Sequence, residues 1–405
     1  MRVKPIFILT GSFSLGLLFV HCHKGTVTVV AFCVAVPEGG HAFVSWLTGF
    51  VSATQCRVLR CVKLSGMVDT AQKQVWAIGV AYAPDTTRLD AVIASLQTQV
   101  QRVLIVDNTP DPPAELHEYW QAWTKRGVVV LELGRNLGIA AAQNLGARHA
   151  IRHGATALLF FDHDSVFASD YVAQIEGAYG RVVGNIGALG GLAFDQRETD
   201  ASKRDILAYR FTRFGPRRYP DTTLRAASAD LSDGGILPAA FLIASGLYVP
   251  VETWRVVGPM NADMFIDHVD LEWSARANAA GCGTVLVTGA TIDHQLGDDV
   301  VKIPGRAQVV HVHSPFRVFY LVRNTCWLIR GIAPISVTWR LGYAVWLAKF
   351  VAFNLVFAPR LTRDRAQRAA TILRALRAGV GSMPAPLTAP PASGESPASE
   401  SGPVR

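Results

Sequence analysis

The sequence predicts an α/β protein with a mostly parallel central sheet, followed by C-terminal basic amphipathic helices. From residue 75 onwards, short apolar runs alternate with segments of helical periodicity, which is typical of strand–helix–strand units. The apolar runs are nearly uninterrupted, as expected of parallel strands that helices cover on both faces. Between residues 317 and 380, eleven Lys or Arg residues accompany a single acidic residue, Asp364, in a helical and aromatic-rich segment.

The individual elements can be followed along the chain. Strands are predicted in VWAIGVAY, RVLIVDN, VVVLEL and ATALLFF, and DTTRLDAVIASLQTQV, PPAELHEYWQAWTKRG and GIAAAQNLGARHAIRHG are the helices between them. Beyond Asp164, DYVAQIEGAYGRVV predicts a helix and IGALGGLAF a strand, whereas residues 195–232 predict a long loop or hairpin. PAAFLIASGLYV returns to the core, HVDLEWSARANAAG predicts a helix ending at Gly281, and GTVLVTGATIDH predicts a bent strand or a strand pair.

Composition divides the chain into four parts. Residues 1–66 form an uncertain extension: the apolar run after Arg2 and Lys4 is typical of a signal peptide or anchor, but translation that begins at Met67 explains it equally well. Residues 67–313 are predicted to form the main α/β domain, and residues 314–383 a helical region that contacts a membrane surface or another bound partner. Residues 384–405 are too poor in apolar side chains to fold, so they are predicted to be a disordered tail.

Charge and cysteine content restrict the possible partners. The net charge is +8 and is concentrated in the basic helical region, which favours an anionic membrane surface over simple core packing with snorkelling cations. The sequence contains no recognisable nucleic-acid-binding module, so nucleic acid is not an expected partner. The six cysteines lack the paired spacing of a zinc site, and a disulfide framework is not expected in a chain this long.

Polar residues follow three of the predicted strands. Asp107 and Asn108 come after RVLIV, Asn136 after VVVLELGR, and Asp162 and Asp164 after ALLFF. In open parallel sheets, ligands bind at the carboxyl ends of the strands, so these residues should line one crevice. Two aspartates at i and i+2 can share one Mg²⁺ or Mn²⁺ ion, although a loop that caps the next helix would also use Asp.

A second acidic group occurs in MFIDHVDLEW. Asp267 and Asp270 are three residues apart, so they would share a face if both were helical. An acidic helix N-terminus, favoured by the helix dipole, explains the acids but not the aromatic neighbours. Those neighbours would shield a carboxylate from water and raise its pKa, which suits a general base.

Three histidines are further candidates. His294 follows the predicted strand GTVLVTGATIDH and becomes a candidate metal ligand if the two acidic groups converge. His311 and His313, in HVHSP, are candidates for contact with a substrate. A lone histidine after a strand is more often structural than a ligand, so each of these depends on its surroundings.

Taken together, these segments resemble the family 2 inverting glycosyltransferases with the GT-A fold, and most closely the bacterial rhamnosyltransferases. The resemblance runs from about residue 75 to 324. It rests on VDN, RNLGIAAAQNLGARHA, FFDHDS, ASGLYVP, MFIDHVDLEWSARANAAGC and SPFRVFYLVRN. The string NLGIAAAQN together with a D-x-D motif is specific. His163 occupies the middle position, where rhamnosyltransferases usually have Gln, and this is a minor departure because that side chain is not an expected ligand.

The resemblance implies roles for individual residues. Asp107 should lie beside the nucleotide base and Asn136 near the nucleotide or sugar. Asp164 should bind the metal, Mg²⁺ or Mn²⁺, that bridges the donor diphosphate, and Asp162 should contact ribose or metal. Asp270 should be the catalytic base. His294 occupies the position of an additional metal ligand in some relatives, and the acceptor side should include Ser245, Gly246, Asp267, Trp273, Arg317 and Arg323.

The implied function is transfer of a sugar with inversion at C1. The expected donor is dTDP-L-rhamnose, and the expected acceptor is a glycan or lipid-linked saccharide in cell-surface polysaccharide biosynthesis. Transfer of galactofuranose or a hexose from a UDP-sugar is the alternative within this class. A non-catalytic sugar-nucleotide-binding assembly partner and, with less support, a membrane scaffold are the other readings. Because nucleotide sugars are made in the cytosol, we expect a cytoplasmic protein on the inner face of the cell membrane, without export by residues 5–20.

Overall fold

The computed structural model describes residues 73–181, 186–195, 206–229, 235–294, 310–358 and 364–387. It also describes the backbone of short strands elsewhere. Four of these form an antiparallel sheet in chain order, and they are β1 (Ile6–Thr10), β2 (Ser14–His23), β3 (Thr26–Ala35) and β4 (Phe43–Ser52). The predictions of an anchor, an export signal or a translation start at Met67 concern side chains or segments outside the described residues. Most of the predicted tail, residues 384–405, lies outside them too.

A ten-stranded sheet forms the centre of the protein. Its main order is β14-β16-β10-β15-β8-β5-β6-β7, while β11 pairs with β10 and β9 pairs with β16. The strands are β5 (Val75–Ala81), β6 (Arg102–Asp107), β7 (Val129–Glu132), β8 (Ala157–Asp162), β9 (Ser165–Phe167), β10 (Ile186–Asp195), β11 (Ile206–Leu207), β14 (Ile236–Pro238), β15 (Leu247–Pro250) and β16 (Gly283–His294). Two small hairpins lie outside it, β12 (Tyr209–Arg210) with β13 (Arg217–Arg218) and β17 (Val300–Val301) with β18 (Val310–His311).

The sheet is more mixed than the strand pattern predicts. The β8-β5-β6-β7 half is parallel, as is the β10–β16 pair, but β15 is antiparallel to both β8 and β10. Gly246 directly precedes β15, has a φ of 86° and donates its N–H to the carbonyl of Phe160. The turn at Gly246 therefore starts β15 beside the last residues of β8. The predicted α/β class is confirmed, and this turn brings residues 245 and 246 to the end of β8.

Helices cover both faces of the sheet. Ile78, Leu104 and Phe160 point towards one face, where they pack with Trp254 and Trp273, while Leu89 and other helical residues fill the opposite face. The alternation of strand side chains between two faces explains why nearly every position in these strands is apolar. The helices are α1 (Thr86–Gln97), α2 (Ala114–Lys125), α3 (Ile139–Arg152), α4 (Tyr171–Arg181), α5 (Asp221–Ala229), α6 (Val251–Val257), α7 (Val269–Ala279), α8 (Pro315–Arg330), α9 (Val337–Val356) and α10 (Arg365–Gly381).

Two local expectations differ from the structure. The segment expected to be a loop or hairpin contains the β12–β13 hairpin but also helix α5, which the sequence did not predict. Helix α5 is short and mostly exposed, and it has a single fully buried apolar side chain, Leu224, so it has almost no apolar periodicity to detect. Helix α7 begins at Val269, so Asp267 precedes it, and the helical face that Asp267 and Asp270 were expected to share does not exist.

The C-terminal helices continue the main core. Helix α8 begins with a capping bond from the Ser314 hydroxyl, which accepts the N–H of Arg317, with Pro315 in the first turn. Its residues Trp327 and Leu328 pack in the same hydrophobic cluster as β5 and β8. In the part of the chain that the structure describes, no helix is long and apolar enough to cross a membrane.

Candidate active site

Three potential metal ligands meet at the end of β8. Asp162, Asp164 and His294 each place one ligand atom within 4.8 Å of those of the other two. Asp162 ends β8, while His294 ends β16, whose last residues pair with β9 directly after Asp164. The β9–β16 pairing therefore brings a histidine 130 residues away to the D-x-D motif. Two carboxylates and one imidazole are suitable donors for a divalent cation such as Mn²⁺, while Mg²⁺ favours oxygen ligands.

Two serine hydroxyl groups form a hydrogen-bonded chain that ends at this triad. The Ser245 hydroxyl lies 2.6 Å from that of Ser165, which is 2.7 Å from Nδ1 of His294. Asp162 donates its backbone N–H to the Ser245 hydroxyl at 3.4 Å. Both serines are buried. Outer-shell hydrogen bonds of this kind fix the orientation of a metal-binding histidine. The sequence analysis missed Ser165, although it directly follows the D-x-D motif.

The two carboxylates of the triad are electrostatically unequal. Burial raises the pKa of Asp162, and the neighbouring charge of Asp164 raises it further. Burial also acts to raise the pKa of Asp164, but the hydrogen bond and charge of His294 outweigh it and lower the pKa overall. Like charges in one partly buried place repel each other, and a bound cation offsets that repulsion. The donor set therefore fits a divalent cation.

The residues expected on the nucleotide side lie at the neighbouring strand ends. Asp107 is buried at the end of β6, where its carboxylate accepts the N–H of Thr109 and the indole N–H of Trp120 at 2.7 Å. Asn108 donates to the side-chain oxygen of Asn136 at 2.9 Å, and that oxygen also accepts the N–H of Gly138. These contacts hold the loops after β6 and β7 together in front of helix α3.

Asp270 lies in the first turn of helix α7. Its carboxylate accepts the N–H of Leu271 at 2.8 Å. Burial raises the pKa of Asp270 to about 7, and the charges of Asp162 and Asp267 act in the same direction. Among the described residues, no basic side chain forms an ion pair with Asp270. Asp270 is therefore close enough to the D-x-D motif to be influenced by its charge, and it changes protonation near neutral pH.

The second acid of helix α7 has a different environment. Glu272 is fully buried and forms an ion pair with Arg276 at 2.7 Å, and Arg276 also donates to two backbone carbonyls. Trp273 is fully buried too, where its indole donates to the carbonyl of Gly258 and stacks near Trp254. The structure thus places Trp273 in the core, and it does not bring that side chain together with Asp270.

The segment before Asp270 has an unusual backbone. Phe265, Asp267 and His268 have φ values of 65°, 65° and 63°, which only glycine adopts without strain. The carbonyl of Phe265 accepts the N–H of Ile139, the first residue of helix α3. Gly138, with a φ of 82°, is required there because a Cβ would collide with the ring and carbonyl of Phe265. The strained segment is thus fixed against the start of helix α3.

Helix α8 holds the same segment from the other side. Asn324 is fully buried, and its amide donates at 2.9 Å to the carbonyls of Met264, Ile266 and Asp267. Thr325 forms a 3.0 Å hydrogen bond with Nε2 of His268. We call residues 264–268 the α8-bound segment. Asn324 was part of the motif SPFRVFYLVRN, but nothing in the sequence indicated which carbonyls it would bind.

The two arginines expected on the acceptor side also contact this segment. Arg317 donates to the carboxylate of Asp267 at 2.6 Å. Arg323 donates to the carbonyls of Asp263 and Met264, and its guanidinium lies 4.1 Å from the ring centre of Trp327. In this structure both arginines support the backbone beside Asp270, and their contact with an acceptor stays a prediction.

The other residues predicted for the site are Ser245, Gly246, His311 and His313. Ser245 and Gly246 are buried beneath the triad, and a Cβ on Gly246 would collide with Tyr171 and Ile292. His313 lies near Phe350, with 6.3 Å between the ring centres, at the start of the C-terminal helices. The side chain of His311 lies outside the described residues.

Comparison with known proteins defines the class. The family model described as Glycosyl transferase family 2 matches residues 86–223, which include Asp107, Asn136, Asp162 and Asp164. A curated relative, the dTDP-rhamnosyl transferase RfbF of Shigella flexneri, is 29% identical over 266 residues, which cover 63% of this chain and 80% of the relative. Residues 86–223, about a third of the chain, thus resemble a family 2 glycosyltransferase domain. The protein is a glycosyltransferase, and the predicted resemblance to this family is confirmed.

Two solved structures show a distant similarity. GalNAc-T7 with UDP, GalNAc and Mn²⁺ is 13% identical with a TM-score of 0.46 over 71% of this chain, which spans 58% of that structure's length. The mannosyltransferase PcManGT from Pyrobaculum calidifontis, in complex with GDP-Man and Mn²⁺, is 14% identical with a TM-score of 0.41, covering 78% of this chain and 77% of its own. Similarity at this level does not extend to the roles of individual residues.

Replacement of His294 should weaken metal binding. In His294→Ala the triad loses its imidazole, and we expect the affinity for Mn²⁺ to fall by more than about tenfold, since even supporting residues of metal sites have effects of that size. Titration calorimetry with Mn²⁺ alone measures this. The matched control is His163→Ala, which removes the histidine of the same motif that lies outside the triad. Equal affinities in the two variants would contradict the assignment.

Replacement of Asn324 should loosen the α8-bound segment. Asn324→Ala leaves the carbonyls of Ile266 and Asp267 without their amide donor, while that of Met264 still accepts from Arg323. We expect the free energy of unfolding to fall by about 3 kcal/mol and turnover to fall with it. Denaturant unfolding measures the first effect. Asn278→Ala is the control, because Asn278 also donates from helix α7 to a carbonyl and a hydroxyl but does not contact the segment. If turnover were unchanged in Asn324→Ala, the segment would not position the site.

Proposed function

We propose that the protein transfers L-rhamnose from dTDP-L-rhamnose to a glycan or lipid-linked acceptor during the synthesis of a cell-surface polysaccharide. The observation that carries the glycosyl-transfer chemistry is the pairing of two acidic groups. Asp162, Asp164 and His294 form a candidate cation site, and burial, together with the charges of Asp162 and Asp267, raises the pKa of Asp270 to about 7. The choice of rhamnose is supported by the similarity to the dTDP-rhamnosyl transferase of Shigella flexneri, which is identical to this chain at 29% of the aligned residues.

The donor would bind along the carboxyl edge of the sheet. Asp107 ends β6 and Asn136 follows β7, at the same edge of the sheet as the triad at the end of β8, with β5 between them, which supports a base-to-diphosphate order along this edge. Asp162, Asp164 and His294 would hold Mg²⁺ or Mn²⁺. When bound, such an ion offsets the negative charge that develops on the departing diphosphate. Mn²⁺ suits the imidazole of His294 better than Mg²⁺ does.

Asp270 would act as the general base. Its ionised carboxylate accepts the proton of the acceptor hydroxyl while that oxygen forms a bond to C1 of the sugar. The bond between C1 and the diphosphate oxygen breaks, and the diphosphate leaves with the electron pair. Because the attacking oxygen and the leaving group lie on opposite sides of C1, the configuration at C1 inverts. This geometry requires two separate acidic groups. The end of β8 and the start of α7 each provide one.

The reaction would take place at the cytoplasmic face of the membrane. Donor nucleotide sugars are cytosolic, and a lipid-linked acceptor lies in the bilayer surface, so a peripheral position on an anionic leaflet gives access to both. The basic character of residues 317–380 supports this location.

A donor screen with an Asp270 variant tests the proposal. We expect release of dTDP from dTDP-L-rhamnose in the presence of a membrane extract that supplies acceptor, and little release from UDP-galactofuranose or UDP-hexoses. Asp270→Asn should reduce turnover by about a hundredfold to ten-thousandfold with donor affinity retained. Asp221→Asn, an exposed aspartate at the start of helix α5, is the matched control. Release from a UDP-sugar would identify the alternative donor, and no release from any donor would favour a non-catalytic binder.

Activity should depend on pH through Asp270. The base is functional only when ionised, and burial raises its pKa to about 7. We therefore expect kcat/KM to rise about tenfold per pH unit below neutrality and to level off above it. Initial rates at saturating Mn²⁺, with donor binding measured in parallel, give the profile. A rate that is constant across pH 7 while donor binding is also constant would exclude Asp270 as the titrating base.

A further inference from the structure

Helix α9 presents an apolar stripe to solvent. Val337, Leu341, Val345 and Val356 are 70, 58, 56 and 45% exposed, and their spacing places them within about a third of the helix circumference. The opposite side of the helix packs inwards, where Tyr343 and Asn354 are buried. An exposed apolar row of this length marks an interaction surface more often than a solvated face.

A second exposed apolar element lies beside this stripe. The tip of the β12–β13 hairpin carries Phe211 and Phe214, which are 46 and 55% exposed, on either side of Arg213. The hairpin packs directly on α9: the indole of Trp339 donates to the carbonyl of Thr212 at 2.7 Å. Two segments more than 100 residues apart in sequence thus place exposed aromatic or aliphatic side chains on one continuous surface.

The charge of this surface is positive. Lys349 is exposed at the edge of the α9 stripe, and Arg213 and Arg217 are exposed on the hairpin. Helix α9 contains no acidic residue, and Asp364 is the single acid between residues 317 and 380. Apolar and aromatic side chains interspersed with Lys and Arg are typical of elements that lie in the interface of an anionic bilayer, with cations at the headgroups and apolar side chains below them.

The inner side of the same helix faces the catalytic residues. Trp346, which is 38% exposed at the border of the stripe, has its ring centre 6.0 Å from that of His268. Tyr343 lies at the same distance from His268, and its pKa is raised by burial and by the charge of Asp270. One helix therefore connects the exposed surface with the acceptor side of the site.

We propose that the exposed stripe of α9 and the tip of the β12–β13 hairpin form one membrane-docking surface, which lies in the headgroup region of an anionic leaflet and opens the acceptor side of the site towards the bilayer. The location at a membrane rests on the proposed function, whereas this surface is assigned from its own exposure and charge. Helix α9 is about 30 Å long from its 20 residues. A helix that lies in the membrane plane inserts only one of its sides into the bilayer. This agrees with α9, because the other side of α9 is buried against the protein.

Sedimentation with lipid vesicles tests the surface. The full chain should bind vesicles of phosphatidylglycerol and phosphatidylcholine and bind phosphatidylcholine vesicles weakly. Val345→Glu removes an apolar contact and adds a negative charge, and Lys349→Glu reverses a charge, so we expect each to weaken binding by about tenfold. The matched controls, Val256→Glu on helix α6 and Lys125→Glu on helix α2, are exposed positions outside the surface and should bind as the unchanged protein does.

Other outcomes distinguish a failure of the docking surface from a failure of the proposed function. If both α9 variants bind vesicles like their controls, the docking surface is wrong even when dTDP release is intact. If gel filtration shows a dimer that Val345→Glu dissociates, the stripe is a self-association surface and the proposal is overturned. If vesicle binding behaves as expected but no donor is turned over, the surface stands and the proposed transferase reaction falls.

Discussion

The site depends on the hydrogen bonds by which Asn324 fixes a strained backbone. Left-handed conformations at Phe265, Asp267 and His268 cost about 1 kcal/mol or more each, and they occur directly before the helix that carries Asp270. Three bonds from the buried amide of Asn324, together with the ion pair between Arg317 and Asp267, offset this cost. In the same segment, the carbonyl of Phe265 accepts the first N–H groups of helix α3, so the segment before Asp270 and the start of α3 are fixed relative to each other.

The neutral state of His268 is a consequence of this arrangement and helps to set the chemistry of Asp270. Burial lowers the pKa of His268 to about 4. Since the hydroxyl of Thr325 donates to the carbonyl of Leu321, it accepts from His268, which places the imidazole proton on Nε2. A protonated imidazole two residues from Asp270 would hold the pKa of that carboxylate down. A neutral imidazole leaves burial and the charge of Asp162 to raise the pKa of Asp270 to about 7.

The sequence predicted the local part of this molecule well. Alternating apolar runs and helical periodicity located β5 to β8 and their helices, and strand ends located Asp107, Asn136 and the D-x-D motif. Pairings between distant segments were not visible in the sequence. These include the antiparallel pairing of β15 with β8, and the pairing of β9 with β16, which brings Ser165 to His294. Periodicity indicates which face of an element is buried but not what covers it, so the contacts of Arg317 and Arg323 with the α8-bound segment could not be derived.

These contacts also bear on where the functional unit ends. A composition change suggests a boundary near residue 314, since basic and aromatic residues begin there. Yet helix α8 provides Asn324, Thr325 and both arginines to the segment before Asp270, and its Trp327 and Leu328 pack in the core of the central sheet. Removal of α8 would therefore leave the strained conformations without their partners, and Asp270 would lose its position while the triad at the end of β8 kept its own. The surroundings of Asp270 are thus built from both sides of the compositional boundary, and the triad from one side.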